Sequence, residues 1–302
     1  MSNSITAIVL TFNEEINLSN CLLSLKKINA DIVIVDSHST DNTICIAEEY
    51  NARIYKNSWI NYSNQFNWAL ENTEIASDWI LRIDADEFLD DELISDLNLR
   101  LANLDKDITA IYLDRGLIFN GESLKYSRFA KMKHLKIWRR GFGYCENTWM
   151  DEHIIVDKGH SISLKGRLID ENRKNIADFI SKHTNYAVRE AIHYFMINYK
   201  GYKQNGFSGK SNIGNVMPYL LRKIYYKCIP SKLRPWLLFV YEYFVCLGFL
   251  DGKNGYYYYN FQVLFYRSLV EKIIDDAKSY SKGNLKKLEE FFACSYNVII
   301  KF

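Results

Sequence analysis

A chain of 302 residues has room for one large domain, or for a catalytic domain with an appendage. With 48% hydrophobic residues, 25% charged residues and three prolines it has the composition of a folded protein and not of a disordered one, and a net charge of +2 leaves meaning to the distribution of charge rather than its total. Six scattered cysteines without a CxxC pair fit reduced thiols in a cytosolic protein, and no apolar run reaches the length needed to span a bilayer.

The N-terminus runs directly into Ile5-Thr6-Ala7-Ile8-Val9-Leu10, which reads as a buried parallel strand and not as a signal peptide. It ends in the polar run Thr11-Phe12-Asn13-Glu14-Glu15. Leu18, Cys21, Leu22 and Leu25 then fall at helical spacing. Asp31-Ile32-Val33-Ile34-Val35-Asp36 is a second strand ending in an acid. In the loop after it, Asp41 or Thr40 can cap the helix that carries Ile44, Ala47 and Tyr50. A third strand at 52–55 and a helix with Gln65, Asn67 and Trp68 lead to a fourth strand at 79–83. The first hundred residues therefore read as repeating β-α units, a parallel sheet with right-handed crossovers. Ligands bind at the carboxyl ends of such strands, where this chain places Asn13, Glu14, Asp36, Asp84 and Asp86. Neither G-x-G-x-x-G nor a P-loop is present, which argues against an oxidoreductase and an ATPase.

The fourth strand, an apolar run interrupted by Arg82, passes into Asp84-Ala85-Asp86-Glu87. Strand alternation would put Asp84 and Asp86 on one side, where a cation must relieve their repulsion. A bound Mg²⁺ or Mn²⁺ sharing its shell with phosphate is one answer. An acidic turn that ends a strand and caps the next helix is the other, since Asp90, Asp91 and Glu92 follow.

Residues 108–113, 117–120 and 136–140 look like further strands, and Asp151-Glu152-His153 forms a second acidic cluster before Ile154-Ile155-Val156. From about residue 173 the texture becomes helical. Residues 191–241 contain no acid, while Lys200, Lys203, Lys210, Arg222, Lys223, Lys227, Lys232 and Arg234 interleave with aromatic and aliphatic residues. That profile suits an element lying in a membrane interface, or a helical subdomain with a solvated basic face; no nucleic-acid reading module accompanies it. Gly252 and Gly255 read as turn residues.

Three segments together, Val9-Leu10-Thr11-Phe12-Asn13-Glu14-Glu15, Val35-Asp36-Ser37-His38-Ser39-Thr40-Asp41-Asn42-Thr43 and Ile83-Asp84-Ala85-Asp86-Glu87, resemble family-2 inverting glycosyltransferases with a GT-A fold. Asp151-Glu152-His153 and Leu247-Gly248-Phe249-Leu250-Asp251-Gly252-Lys253-Asn254-Gly255 look like the branch that builds lipopolysaccharide core, including β-1,4-glucosyltransferases. The resemblance implies a nucleotide-sugar-binding and catalytic GT-A domain over residues 1–165; the region 166–302 is expected to be mainly helical and, from its basic and aromatic composition, associated with acceptor and membrane.

It further implies that Thr11, Asn13, Glu14 and Asp36 hold the uracil and ribose of a UDP-sugar, although Ser37 stands where the family pattern has a second Asp. From the residues themselves, Gln65 and Asn67 open the helix beside the cleft and are candidates for donor contact; His38 is a nucleotide contact or a plain loop histidine, and Arg139 and Arg140 meet diphosphate or an anionic acceptor, or simply end a solvated strand. By the resemblance Asp86 would bind Mg²⁺ or Mn²⁺, with Asp84 near the ribose or the metal and His153 completing the shell or orienting the base. Glu152, or alternatively Asp151, would be the general base. The implied partners are a UDP-sugar donor, glucose first, and a lipid-linked saccharide acceptor at the inner face of the cytoplasmic membrane; a homodimer is left open. A sugar nucleotidyltransferase or a non-catalytic nucleotide-sugar-binding protein is the rival reading, and Thr11-Phe12-Asn13-Glu14-Glu15 lacks the glycine and lysine that the former needs to hold triphosphate.

Overall fold

The computed structural model describes residues 5–146, 149–150, 152–200 and 228–301, with Tyr199 and Lys200 described in their backbone alone. Asp151 and the basic positions Lys203, Lys210, Arg222, Lys223 and Lys227 lie outside the described residues. The chain divides into two compact units: Met1–Asn147 with Glu152–Lys174, and Thr148–Asp151 with Asn175–Phe302.

The first unit is built on a nine-stranded sheet in the order β3-β2-β1-β4-β8-β6-β11-β5, with β7 paired to β6. Its nucleus is β1 (Ile5–Thr11), β2 (Asp31–Asp36) and β4 (Trp79–Asp84), mutually parallel, with β3 (Arg53–Lys56) parallel beyond β2. The uninterrupted apolar runs arise because both faces are covered. Ala7, Val9, Ile32, Ile34, Leu81 and Ile83 pack to one side with Leu18, Cys21, Leu22 and Leu25 of α1 (Leu18–Lys27). Ile8, Val33, Val35 and Ile80 pack to the other with Phe66 and Ala69 of α3 (Tyr62–Asn72) and with Trp138.

α1 links β1 to β2, a shorter helix links β2 to β3, and α3 links β3 to β4. In α2 (Thr43–Glu49) the N-cap is Asn42, which makes no side-chain cap bond, and not the expected Asp41 or Thr40; Asp41, one residue earlier, accepts the Thr43 amide at 3.0 Å. The long acidic run divides between two jobs. Asp90 caps α4 (Asp91–Arg100) by accepting the Leu93 amide at 2.8 Å, and Asp91 and Glu92 occupy its first turn, where negative charge complements the helix dipole. The capping explanation thus holds for these three acids, while Asp84 and Asp86 lie before the helix.

Residues 108–119 form one strand, β6 (Ile108–Phe119), and not the two short strands their hydrophobic breaks suggest. The polar interruption is satisfied laterally: Arg115 pairs with Asp170, and Asp114 lies 3.3 Å from Lys133. β6 runs between β8 (Lys133–Arg139), antiparallel, and β11 (His160–Glu171), parallel. β5 (Glu87–Leu89) pairs antiparallel with β11, and β7 (Glu122–Ser123) with β6. A separate ribbon joins β9 (Gly143–Cys145) to β10 (Ile154–Val156).

The second unit is helical over its described residues. In α5 (Ile176–Lys200), Ala187, Val188, Ala191, Ile192 and Phe195 form one stripe at helical spacing. They pack with Val270, Ile273, Ile274 and Ala277 of α8 (Tyr266–Ser281) and with Leu288 and Phe292 of α9 (Leu285–Tyr296). Between them in sequence lie α6 (Arg234–Val240), a π-helical turn at Tyr241–Val245, and α7 (Gly252–Tyr259). Gly252 does sit at φ 68°, whereas Gly255 is helical and is required by space: a Cβ there would lie 2.4 Å from Asp251 Cβ. Among the described residues no single helix is long and apolar enough to cross a membrane; Arg234–Val245 and Gly248–Ser281, bent by 73°, meet that length and composition only together.

Candidate functional site

The register of the three central strands sets the site. Thr11 lies level with Asp36, and Leu10 level with Asp84, so the carboxyl ends of β1, β2 and β4 open side by side. Asp36 is fully buried there and accepts three hydrogen bonds, from Thr11 Oγ1 at 2.9 Å, Ser39 N at 2.8 Å and Ser39 Oγ at 2.5 Å. A carboxylate has about four acceptor positions, so the protein itself fills most of those of Asp36 and fixes its orientation. Asn13, at φ 53°, donates its amide to Ser39 Oγ at 2.9 Å and accepts the Thr40 amide at 2.8 Å. The loops after β1 and β2 are therefore fastened to each other by the residues the sequence singled out.

Gln65 is placed differently. It is fully buried in α3 and bonds Ser37 Oγ and the Asn57 carbonyl, both at 3.0 Å, while accepting Asn57 Nδ2 at 2.8 Å. Its amide holds the floor of the β2 and β3 loops. Asn67 spends its amide on the Cys145 backbone, donating to the carbonyl at 2.8 Å and accepting the N–H at 2.9 Å. His38 is exposed at φ 64°, with Nε2 3.4 Å from Ser58 Oγ. Arg139 and Arg140 lie at the opposite end of the sheet from Asp36 and Asp84. Antiparallel pairing sets Arg139 beside Trp79, at the start of β4; it bonds the carbonyls of Ile108, Leu104 and Asp105, and Arg140 bonds that of Ser77.

The acidic turn differs from simple strand alternation. β4 stops at Asp84, Ala85 and Asp86 form a turn, and Glu87 opens β5. The cation that answers Asp84 and Glu87 belongs to the protein. Lys136 Nζ lies 2.7 and 2.9 Å from the two Glu87 oxygens and 3.6 Å from Asp84 Oδ2. Glu87 also accepts the Asp84 amide at 3.0 Å. Burial raises the Glu87 carboxyl, and Lys136 pulls it back down. Asp86 sits at the turn's outer corner, 3.4 Å from Asn172 Nδ2. Beside it, burial raises the Glu14 carboxyl; Lys174, 2.7 Å from Glu14 Oε1, opposes that shift, and the Asp86 charge adds to it.

A further connection leads from Asp84 to the second acidic cluster. Tyr62 donates its hydroxyl to Asp84 Oδ1 at 2.5 Å. Arg82 lies 4.2 Å over the Tyr62 ring, donates Nε to the Tyr62 hydroxyl at 3.0 Å and donates Nη1 to the Glu152 carbonyl at 2.9 Å. One guanidinium thus ties the end of β4 to the main chain at Glu152. His153 is exposed, and its carbonyl accepts the Glu146 amide at 2.8 Å.

Among the described residues no three His, Cys, Asp or Glu side chains converge as a metal cage, so Asp84, Asp86 and His153 do not form the expected trio. Asp84 and Asp86 themselves supply carboxylate oxygens, the donor type that Mg²⁺ or Mn²⁺ takes. Sequence reasoning missed Tyr62, Lys136, Asn172 and Lys174. Arg82 alone carried a visible signal, a charge inside an otherwise apolar strand.

His134 is half-buried, and its inaccessible Nε2 has no hydrogen-bond partner. Burial, then the charges of Lys136, Arg115 and Arg82, lower its pKa to about 3. As pH falls below about 6.5 the unfolded chain takes up a proton that the folded one refuses, so stability is lost between pH 6.5 and about 3. This group should remove at most about 2 kcal/mol by pH 5. Urea unfolding of His134→Phe at pH 7 and pH 5 should show a correspondingly flatter pH dependence.

The protein-family comparison finds the glycosyl transferase family 2 model matching residues 6–161. An uncharacterised glycosyltransferase of Rickettsia conorii is 31% identical over 149 residues, 49% of this chain and 52% of the relative. The lipopolysaccharide core biosynthesis glycosyltransferase LpsC of Rhizobium meliloti is 32% identical over 161 residues, 52% of this chain and 58% of the relative. The chain thus matches about half the length of these curated relatives. Among solved structures, S. aureus TarS 1–349 in complex with UDP-GlcNAc is 17% identical, with a TM-score of 0.44 over 90% of this chain and 92% of that one.

Proposed function

The chain belongs to glycosyl transferase family 2, and on that footing we propose that it moves a hexose, glucose first among candidates, from a UDP-sugar to a lipid-linked saccharide with inversion. The acceptor class is lipopolysaccharide core or a related surface glycan, in keeping with the similarity to LpsC. The protein would work from the cytoplasmic side, peripheral on the membrane, as a monomer or homodimer. The observation that carries the reading is the register of β1 with β2 and β4, which gathers Thr11, Asp36 and Asp84 at one sheet end.

In this reading Asp36 and Thr11, with Asn13 and Glu14 beside them, receive the nucleoside, and the turn at Asp86 receives the diphosphate. Asp86, with Asp84 next to it, would hold Mg²⁺ or Mn²⁺. When bound, that ion neutralises charge on the departing UDP. Glu152 takes the proton of the acceptor hydroxyl as its oxygen bonds the sugar's anomeric carbon and the bond to the phosphate oxygen breaks. Asp151 is the second candidate for that proton. Arg82 holds the Glu152 main chain and acts as a positioning residue.

Glu152→Gln should lower transfer by about 10²–10⁴-fold while UDP-sugar binding measured by calorimetry stays unchanged. The limb of the pH–rate profile that reports a base should disappear with it. Undiminished transfer would move the base to Asp151. Release of pyrophosphate from UTP and a sugar phosphate, with no transfer from UDP-sugars, would replace the reading by nucleotidyl transfer.

A further inference from the structure

The second unit contains an apolar surface arranged opposite to that of a water-soluble helix. Residues 233–250 include only two charged side chains, Arg234 and Glu242, and both point inward. Arg234 pairs with buried Glu271 at 2.6 Å, and Glu242 is 0% exposed. The outward positions are instead Trp236, Leu237, Val240, Phe244, Val245 and Leu250, and Trp236, Phe244 and Val245 are 57%, 55% and 65% exposed. Leu237, Val240 and Phe244 follow one another at three- and four-residue steps, so they share one side of the helix and its π-helical continuation. A helix that is apolar on both sides requires cover on both. A contiguous exposed surface of this kind marks a binding face.

We propose that this face is covered by one leaflet of an anionic lipid bilayer, entered by residues 233–250 without crossing it. The 73° bend where Arg234–Val245 meets Gly248–Ser281 turns the chain back from a straight span. Exposed Lys232 and Lys253 bracket the apolar segment, and the sequence 191–241, which leads into it, holds eight lysines and arginines and no acid. Such a charge pattern disfavours self-association through this face and favours an anionic surface. Trp236 gives the segment an aromatic side chain suited to the interface. The inference deepens the reading of a lipid-linked acceptor, and its geometry stands apart from the chemistry assigned to the other unit.

The test uses the full chain, with vesicles of phosphatidylethanolamine and phosphatidylglycerol against vesicles of phosphatidylcholine. The wild type should sediment with the anionic vesicles. Lipids brominated in their acyl chains should quench a fluorescence component that Trp236→Phe lacks. Leu237→Glu combined with Phe244→Glu, both at exposed positions, should weaken vesicle binding more than tenfold and leave UDP-sugar binding in solution unchanged. Vesicle binding unaltered in the double variant overturns the proposal. So does a wild-type dimer that the double variant converts to monomer while neither binds vesicles, since the face would then join two copies. Binding to vesicles without any UDP-sugar binding would sink the transferase reading and leave this inference standing.

Discussion

Lys136→Met should lower the free energy of unfolding by about 3–5 kcal/mol, the cost of leaving a buried charge without its partner. Both members of the pair are nearly inaccessible, with 7% of the Lys136 side chain and 6% of the Glu87 side chain exposed. Glu87 cannot turn to solvent, because it also receives the Asp84 amide. The loss belongs to the stranded carboxylate more than to the absent attraction. Adding Glu87→Gln to Lys136→Met should therefore recover most of it, since the side-chain carbonyl can still accept that amide. Urea unfolding of the two single variants and the double variant measures the coupling directly. Additive losses would show that the pair contributes little and that Lys136 matters only through its packing.

Asp86→Asn should reduce sugar transfer about a thousandfold or more, the scale on which a charge-stabilising group at a leaving diphosphate acts. The substitution keeps shape at a turn that ends β4, so the unfolding transition should barely move. Calorimetry with a panel of UDP- and GDP-sugars, with and without Mn²⁺, separates donor binding from turnover. Donor binding that strengthens with Mn²⁺ in the wild type and not in the variant would support Asp86 as the metal's protein ligand. Unchanged transfer in Asp86→Asn would remove the metal assignment, leaving the turn a structural element beside the α4 cap.

The parts of the fold legible in the sequence are those governed by local pattern. Ile5 to Thr11 and Asp31 to Asp36 lack polar interruption because helices cover both faces, and the α1 stripe of Leu18, Cys21, Leu22 and Leu25 is a helical repeat. The convergence of Thr11, Asp36 and Asp84 follows from parallel pairing, which the β-α order already implies. The partner of the acidic turn was not legible: Lys136 lies forty-nine residues beyond Glu87, on a strand whose position between β4 and β6 no local signal gives. Strand alternation also failed at Asp84, because the chain turns at once and two carboxylates close in sequence acquire different neighbours. Arg139 and Arg140 take the strand-end position that was one of the readings open for them, because their strand runs antiparallel to β4 and so sets them beside its start.

The helix α3 bears on both ends of the proposed reaction. Near its start Tyr62 grips Asp84, and five residues later Asn67 engages the Cys145 backbone through both its N–H and its carbonyl, as a neighbouring strand would. Asn67 thereby closes the rim of the β9–β10 ribbon with one side chain, so a further strand cannot add at that point. It also gives the chain leading toward Glu152 a fixed origin on the helix that steadies the acidic turn. In the proposed reading, the donor end and the acceptor end of the reaction would then take their positions from one helix.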